Sequence, residues 1–154
     1  MNKKTMTASH QATEPLLRIV LAELPPASYG ANQSRGAHWG RQYRDSHGKR
    51  GAVEHVVVLV REQGWNRPPL EKARVKVTFG LPDKRRRDAT GLIERVKPYL
   101  DGLTSKPDKN GVVHGASVIV DDDLECIGFP DFGWFSSPRV PVTIISVEEA
   151  PDAK

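Results

Sequence analysis

Between Asp83 and Asp88 the sequence DKRRRD sets four basic side chains, Lys84, Arg85, Arg86 and Arg87, against a carboxylate at each end. A second acidic run, Asp121-Asp122-Asp123, follows the apolar VIV at Val118–Val120. Magnesium is a hard cation that takes one or two protein carboxylates and completes its shell with water and substrate phosphate. Asp88 and the 121–123 run would supply such carboxylates from two separate elements. An ion held there polarises a phosphodiester, deprotonates a water and stabilises the leaving 3′ oxygen. The arginines would grip phosphates, which is what an exposed basic cluster does best. Lys97 is the candidate to orient the attacking water or neutralise developing charge. It lies nine residues after Asp88, about half a turn round an unbroken helix, so an irregularity at Pro98 is needed to bring both to one site.

Four strands and two main helices are expected to position these groups. LLRIVLAEL (Leu16–Leu24) alternates loosely and stops at Pro25-Pro26, as a strand does. The Gly-, Ser- and Arg-rich segment Pro25–Arg50 reads as a long loop, the kind that is functional or mobile. A helix is expected to start between Gly40 and Gly51 and to run to about Gln63, on the spacing of Val53, Val56, Val57 and Val60. ARVKVTFGL (Ala73–Leu81) alternates Val75, Val77 and Phe79 with Arg74, Lys76 and Thr78, a half-buried strand. Asp88 suits the N-cap of a second helix, whose stripe is Leu92, Val96, Leu100 and Leu103 widened by Ile93. Pro98 either bends that helix or separates a first turn from a main helix near Lys97. Thr104–Ser117 reads as a polar loop with His114 in it, VIV leads into the aspartates, LECIGFPDFGWF starts another strand, and RVPVTIISV (Arg139–Val147) is the last. The expected fold is α+β: a two-layer sandwich with a mixed β-sheet and two main helices on one face.

The chain has 154 residues, 38% hydrophobic and 27% charged, with a net charge of +4. One domain over 15–148 is expected, between a disordered leader (1–14) and an acidic tail (149–154). No run reaches the roughly 18 apolar residues of a membrane span. The single Cys126 excludes an intrachain disulfide and a cysteine-only zinc site, and the expected location is cytoplasmic. The charge is uneven: Arg35, Arg41, Arg44, Lys49 and Arg50 face only Asp45 within Arg35–Arg50. Basic patches beside a concentrated acidic cluster point to nucleic-acid phosphates and a metal centre. There is no P-loop, dinucleotide fingerprint, nucleophile elbow or zinc spacing, so no nucleotide cofactor is expected.

In their order and spacing, RRRDATGL, VKPYLDGL and VIVDDD resemble the RusA-type Holliday junction resolvases, small phage and prophage nucleases. The likeness extends over Leu16–Val147 and includes a proline-rich first loop with Asn32, Arg35 and His38-Trp39. It implies an Mg²⁺-dependent (or Mn²⁺-dependent) endonuclease that resolves branched DNA as a homodimer. By that resemblance Asp88 is the first metal-binding aspartate, and Asp121 and Asp122 are the paired aspartates with Asp123 a possible substitute. Lys97, four residues before Asp101, is the catalytic lysine. Lys84–Arg87 grip DNA phosphates, joined by Asn32, Arg35, His38, Arg41 and Arg44. Two positions depart from the pattern: Thr90 replaces a second aspartate, and Gly91 replaces an amide. Glu94, four residues from Thr90 on the same helical face, is the carboxylate able to compensate. The alternative is a protein that binds branched DNA without cutting it; a third reading is an interaction module whose charge is incidental.

Overall fold

The computed structural model describes residues 14–30 and 39–151, with the side chains of 39–46 left out. Strand β1 (Leu17–Leu21) leads through a 3₁₀ turn at Ala27–Tyr29 to helix α1 (Trp39–Glu62). Strand β2 (Ala73–Leu81) is followed by two short helices, α2 (Ala89–Glu94) and α3 (Lys97–Asp101), then by β3 (Asp131–Ser136) and β4 (Val142–Glu149). The four strands form one mixed sheet in the order β1-β4-β2-β3, with β2 and β3 parallel and the other neighbours antiparallel.

Alternation in the sequence becomes two faces of the sheet. Leu17, Ile19 and Leu21 point inward while Arg18 and Val20 face solvent; Ala73, Val75, Val77 and Phe79 are buried while Arg74 and Lys76 are exposed. The register then lays rows of apolar side chains across three strands. Leu17–Val147–Val75 and Ile19–Ile145–Val77 are two such rows. Onto this face pack Ala52, Val56 and Val60 of α1 and Leu92, Val96, Tyr99, Leu100 and Leu103 of the α2–α3 region, all in one core cluster. The result is a two-layer α+β fold, helices against one face. Ile145 is fully buried at the centre of the second row. Its replacement by alanine is expected to cost about 3–4 kcal/mol, read as a lowered urea midpoint at unchanged m-value.

β2 has the expected bounds, and the other elements are displaced in instructive ways. The loop expected over Pro25–Arg50 is cut short because α1 already begins at Trp39. VIV forms no strand: Ile119 makes only isolated parallel bridges to Leu70 and Thr104. The strand expected in LECIGFPDFGWF starts at Asp131, since Ile127 and Gly128 bond back to the carbonyls of Asp123 and Leu124 in a turn. The last strand begins at Val142 rather than Arg139, whose φ of 76° breaks extended geometry, and it takes in Glu149 from the expected tail. Ile93, assigned to the apolar stripe, is 39% exposed. No helix among the described residues is long and apolar enough to cross a membrane.

The placement of α3 sets up everything below. Tyr99 is fully buried, donates its hydroxyl to Glu23 Oε1 at 2.6 Å and meets Tyr29 edge-on at 5.8 Å. Burial first, and then Glu23, pushes the Tyr99 phenol upward, so it stays a donor. At the other end of α3, Gly102 lies against Val56 of α1, where a Cβ would come within 2.7 Å of that side chain. A methyl there would push the two helices apart.

Candidate active site

Asp88 has the extended φ/ψ of an N-cap, and its carboxylate accepts from the backbone N–H of Thr90 (3.2 Å, Oδ1) and of Gly91 (3.3 Å, Oδ2). α2 therefore starts where the sequence places it. It ends after six residues. The Arg95 N–H bonds to Gly91 O, the Val96 N–H falls back to Ile93 O, and α3 begins with Lys97-Pro98. Pro98 sits in the first turn, where its missing N–H costs nothing. The proline thus divides the expected helix into two, and the break turns Lys97 out of phase with α2.

Lys97 is the hub of a charge cluster. Its Nζ donates to Asp101 Oδ1 at 2.5 Å, one turn along α3, and to Asp122 Oδ2 across the chain. Desolvation pushes the ammonium pKa down, but the hydrogen bonds and charges of Asp101 and then Asp122 outweigh it, and the net shift is upward. Asp122 arrives there because the backbone before it is clamped: the Val118 and Ile119 N–H groups both bond to Leu103 O, and Val120 N–H bonds to Leu70 O. With Val118 and Ile119 fully buried, the next residues emerge beside α3.

The three aspartates then divide. Asp122 meets Lys97. Asp121 accepts from the Asp122 N–H at 2.8 Å and lies 3.5 Å from Lys106 Nζ. The Asp122 N–H is the main cause of its lowered pKa, with Lys106 adding to it. Asp123 faces away to cap the turn, accepting from the Cys126 N–H at 2.8 Å.

A cleft of about 790 Å³ opens on this cluster. α1 contributes Lys49, Arg50 and Glu54, α2 contributes Glu94, and α3 contributes Lys97 and Asp101. Asp88, at the opposite end of α2 from Glu94, is not among the described residues that line it. Neither are Asp121, Asp122 and Asp123, of which Asp122 and Asp121 reach it only through their contacts with Lys97 and Lys106. The basic run is partly self-neutralised: Asp83 pairs with Arg87 at 2.9 Å and with Arg85 at 3.3 Å. The Arg87 hydrogen bond, foremost, holds the Asp83 carboxyl at about 2. Lys84 and Arg86 are exposed. Asn32, Arg35 and His38 lie outside the described residues, as do the side chains of Arg41 and Arg44, which belong to the first turns of α1.

The sequence singles out Asp122, Lys97 and Glu94 for chemistry and Lys49 and Arg50 for phosphate, but gives no role to Asp101 or Lys106. The Lys97–Asp101 spacing of four was the available signal, since such pairs share a helix face.

Among the described residues, no three His, Cys, Asp or Glu side chains form a group that could hold a metal ion alone. Two carboxylates do close on one point. Oxygens of Asp101 and Asp122 both bond to Lys97 Nζ, which places them within about 5–6 Å of each other. The ammonium stands in for a cation between two hard oxygen donors, a donor set that suits Mg²⁺ when water and a phosphate supply the remaining ligands. The chain matches no protein-family model, and no curated protein matches it.

Proposed function

We propose that the chain is a Mg²⁺-dependent endodeoxyribonuclease that cuts branched DNA, four-way junctions above all, as a homodimer. The observation that supports this most strongly is the convergence of Asp101 and Asp122 on Lys97, at the edge of a cleft that Lys97 and Asp101 line together with Lys49 and Arg50 of α1. The RusA-type resemblance of RRRD, KPYLDGL and DDD points the same way. Paired nicks across a junction need two active sites related by a two-fold axis, which is the reason for a dimer.

In this reading Asp101 and Asp122 hold the ion, with Asp121 beside them and Glu94 facing the same cleft. When bound, the cation supplies Lewis-acid charge at the phosphate and a lowered pKa for a coordinated water. Lys97, which a bound ion would displace from between the two carboxylates, offers its positive charge to the phosphate's non-bridging oxygens. Lys49 and Arg50 on the facing wall, with Lys84 and Arg86 beyond α2, bind the phosphate backbone and orient the strand.

Asp88 has a separable part. Asparagine caps helices as well as aspartate does, so Asp88→Asn is expected to leave the melting temperature within about 2 °C. Its cleavage of a synthetic four-way junction in Mg²⁺ is expected to fall at least about tenfold, because the RusA-type resemblance makes Asp88 the first metal-binding aspartate. Equal cleavage by Asp88→Asn and wild type would reduce Asp88 to a cap. Phosphate contacts by Lys49, Arg50, Lys84 and Arg86 predict junction binding that weakens steeply between about 50 and 200 mM salt. Binding indifferent to salt would count against a DNA substrate.

A further inference from the structure

The cleft has a second wall that the proposed reaction does not yet use. Asp108-Lys109-Asn110-Gly111 folds into a tight turn: Gly111 N–H bonds to Asp108 O, and Asp108 N–H bonds to Val112 O at 2.9 Å. Pro107 and Val113 pair across it. The Asp108 carboxylate is fixed by its own turn, with Oδ1 accepting from the N–H groups of Asn110 (2.8 Å) and Val112 (3.0 Å). Its other oxygen accepts from the His114 ring at Nε2, 2.8 Å away. The His114 hydrogen bond leads the causes that hold the Asp108 carboxyl below its usual range, ahead of the two N–H groups. This is a histidine oriented by a locked carboxylate, with Nδ1 left to meet a ligand.

Its position is as well determined as its orientation. Gly115 packs on the end of α3 so closely that a Cβ would lie 2.2 Å from Thr104 O and 2.8 Å from Asp101 O. Ala116 N–H then bonds to Gly102 O at 2.7 Å. His114, one residue before this contact, is therefore held beside the helix that carries Lys97 and Asp101. Asp108 and His114 line the same cleft as those two residues, and His114 is 64% exposed toward it and solvent. The charged groups that line the cleft with it and Asp108 are Glu94, Lys97, Asp101 and Lys106, with Lys49, Arg50 and Glu54 from α1.

Resting on the nuclease reading, we infer that His114 is a catalytic general acid, positioned by Asp108, that protonates the leaving 3′ oxygen. Water oxygen bonds to phosphorus as the P–O3′ bond breaks, and its proton passes to solvent. The imidazolium gives its proton to O3′, so the products are a 5′-phosphate, a 3′-hydroxyl and a neutral imidazole that is reprotonated from solvent.

A sulfur leaving group tests this directly, because a thiolate departs without a proton. Single-turnover cleavage in Mn²⁺ is measured on a four-way junction carrying either an ordinary 3′-O–P bond or a 3′-S-phosphorothiolate at the cut site. Single-turnover conditions above saturating enzyme separate the chemical step from binding. His114→Gln is expected to slow the oxygen substrate about 100-fold and the sulfur substrate by no more than about threefold. Asp108→Asn is expected to show the same pattern at smaller size. Equal slowing on both substrates, or no slowing on either, overturns the assignment while leaving the nuclease reading intact. A wild-type protein that cuts neither substrate overturns both.

Discussion

Asp122→Asn is expected to lower junction cleavage by about 100- to 1,000-fold while leaving the protein folded and junction binding at low salt slightly tighter. The substitution keeps the shape and removes one charge. Asp122 is one of two carboxylates gathered on Lys97, so the amide halves the anionic charge available to a divalent cation there. Loss of one well-placed electrostatic group at a reacting centre costs that range of rate. Folding is insulated because the Lys97–Asp122 pair is a partly exposed ion pair, 59% and 15% accessible on its two sides. Such pairs contribute on the order of 1 kcal/mol or less. Binding moves the other way because the basic wall is untouched and a nearby repulsive charge is gone. Gel-shift and cleavage assays on one junction separate the two effects. A variant that loses binding and cleavage together would place Asp122 in the scaffold rather than the chemistry.

The second large effect is on stability. Gly115→Ala is expected to cost about 3 kcal/mol and to lower the melting temperature by about 10 °C. The new methyl would have to sit 2.2 Å from Thr104 O and 3.0 Å from Thr104 N, both backbone atoms with no freedom to swing away. Relief requires the 115–118 segment to lift off α3. That strains four hydrogen bonds at once: Ala116 to Gly102, Ser117 to Thr104, and Val118 and Ile119 to Leu103. The same segment delivers Asp121 and Asp122, so cleavage is expected to fall with stability rather than independently of it. A melting temperature equal to wild type would mean that this clamp does not hold the aspartates in place.

These two residues also mark the limits of the sequence as a guide. β2 was legible because Ala73–Leu81 is buried on one face only, and burial on one face of a strand writes itself as period two. The α2–α3 break was legible as a difficulty at Pro98, since proline's missing N–H is a local property. Gly115 carried no such signal. Its requirement comes from carbonyls eleven and fourteen residues earlier, and nothing in the polar stretch Thr104–Ser117 announces that contact. The apolar run of VIV has the composition of a strand, yet its backbone bonds go to Leu103 and Leu70 rather than to a ladder. Asp101 stood in plain view four residues from Lys97, but exposed i,i+4 pairs are common on helix surfaces. Only Asp122, from a separate segment, makes it part of a site. The start of α1 was hidden by glycines, which weaken helix propensity without forbidding a helix.

The most direct measurement is cleavage of an end-labelled synthetic four-way junction by the wild-type protein, with Mg²⁺ and with EDTA, at a protein concentration where the junction is bound. The account predicts symmetrically paired nicks that leave 5′-phosphate and 3′-hydroxyl ends, appear only with the metal, and disappear in Asp122→Asn. A junction that is bound and remains intact in both Mg²⁺ and Mn²⁺, or nicks that persist in Asp122→Asn, would contradict it.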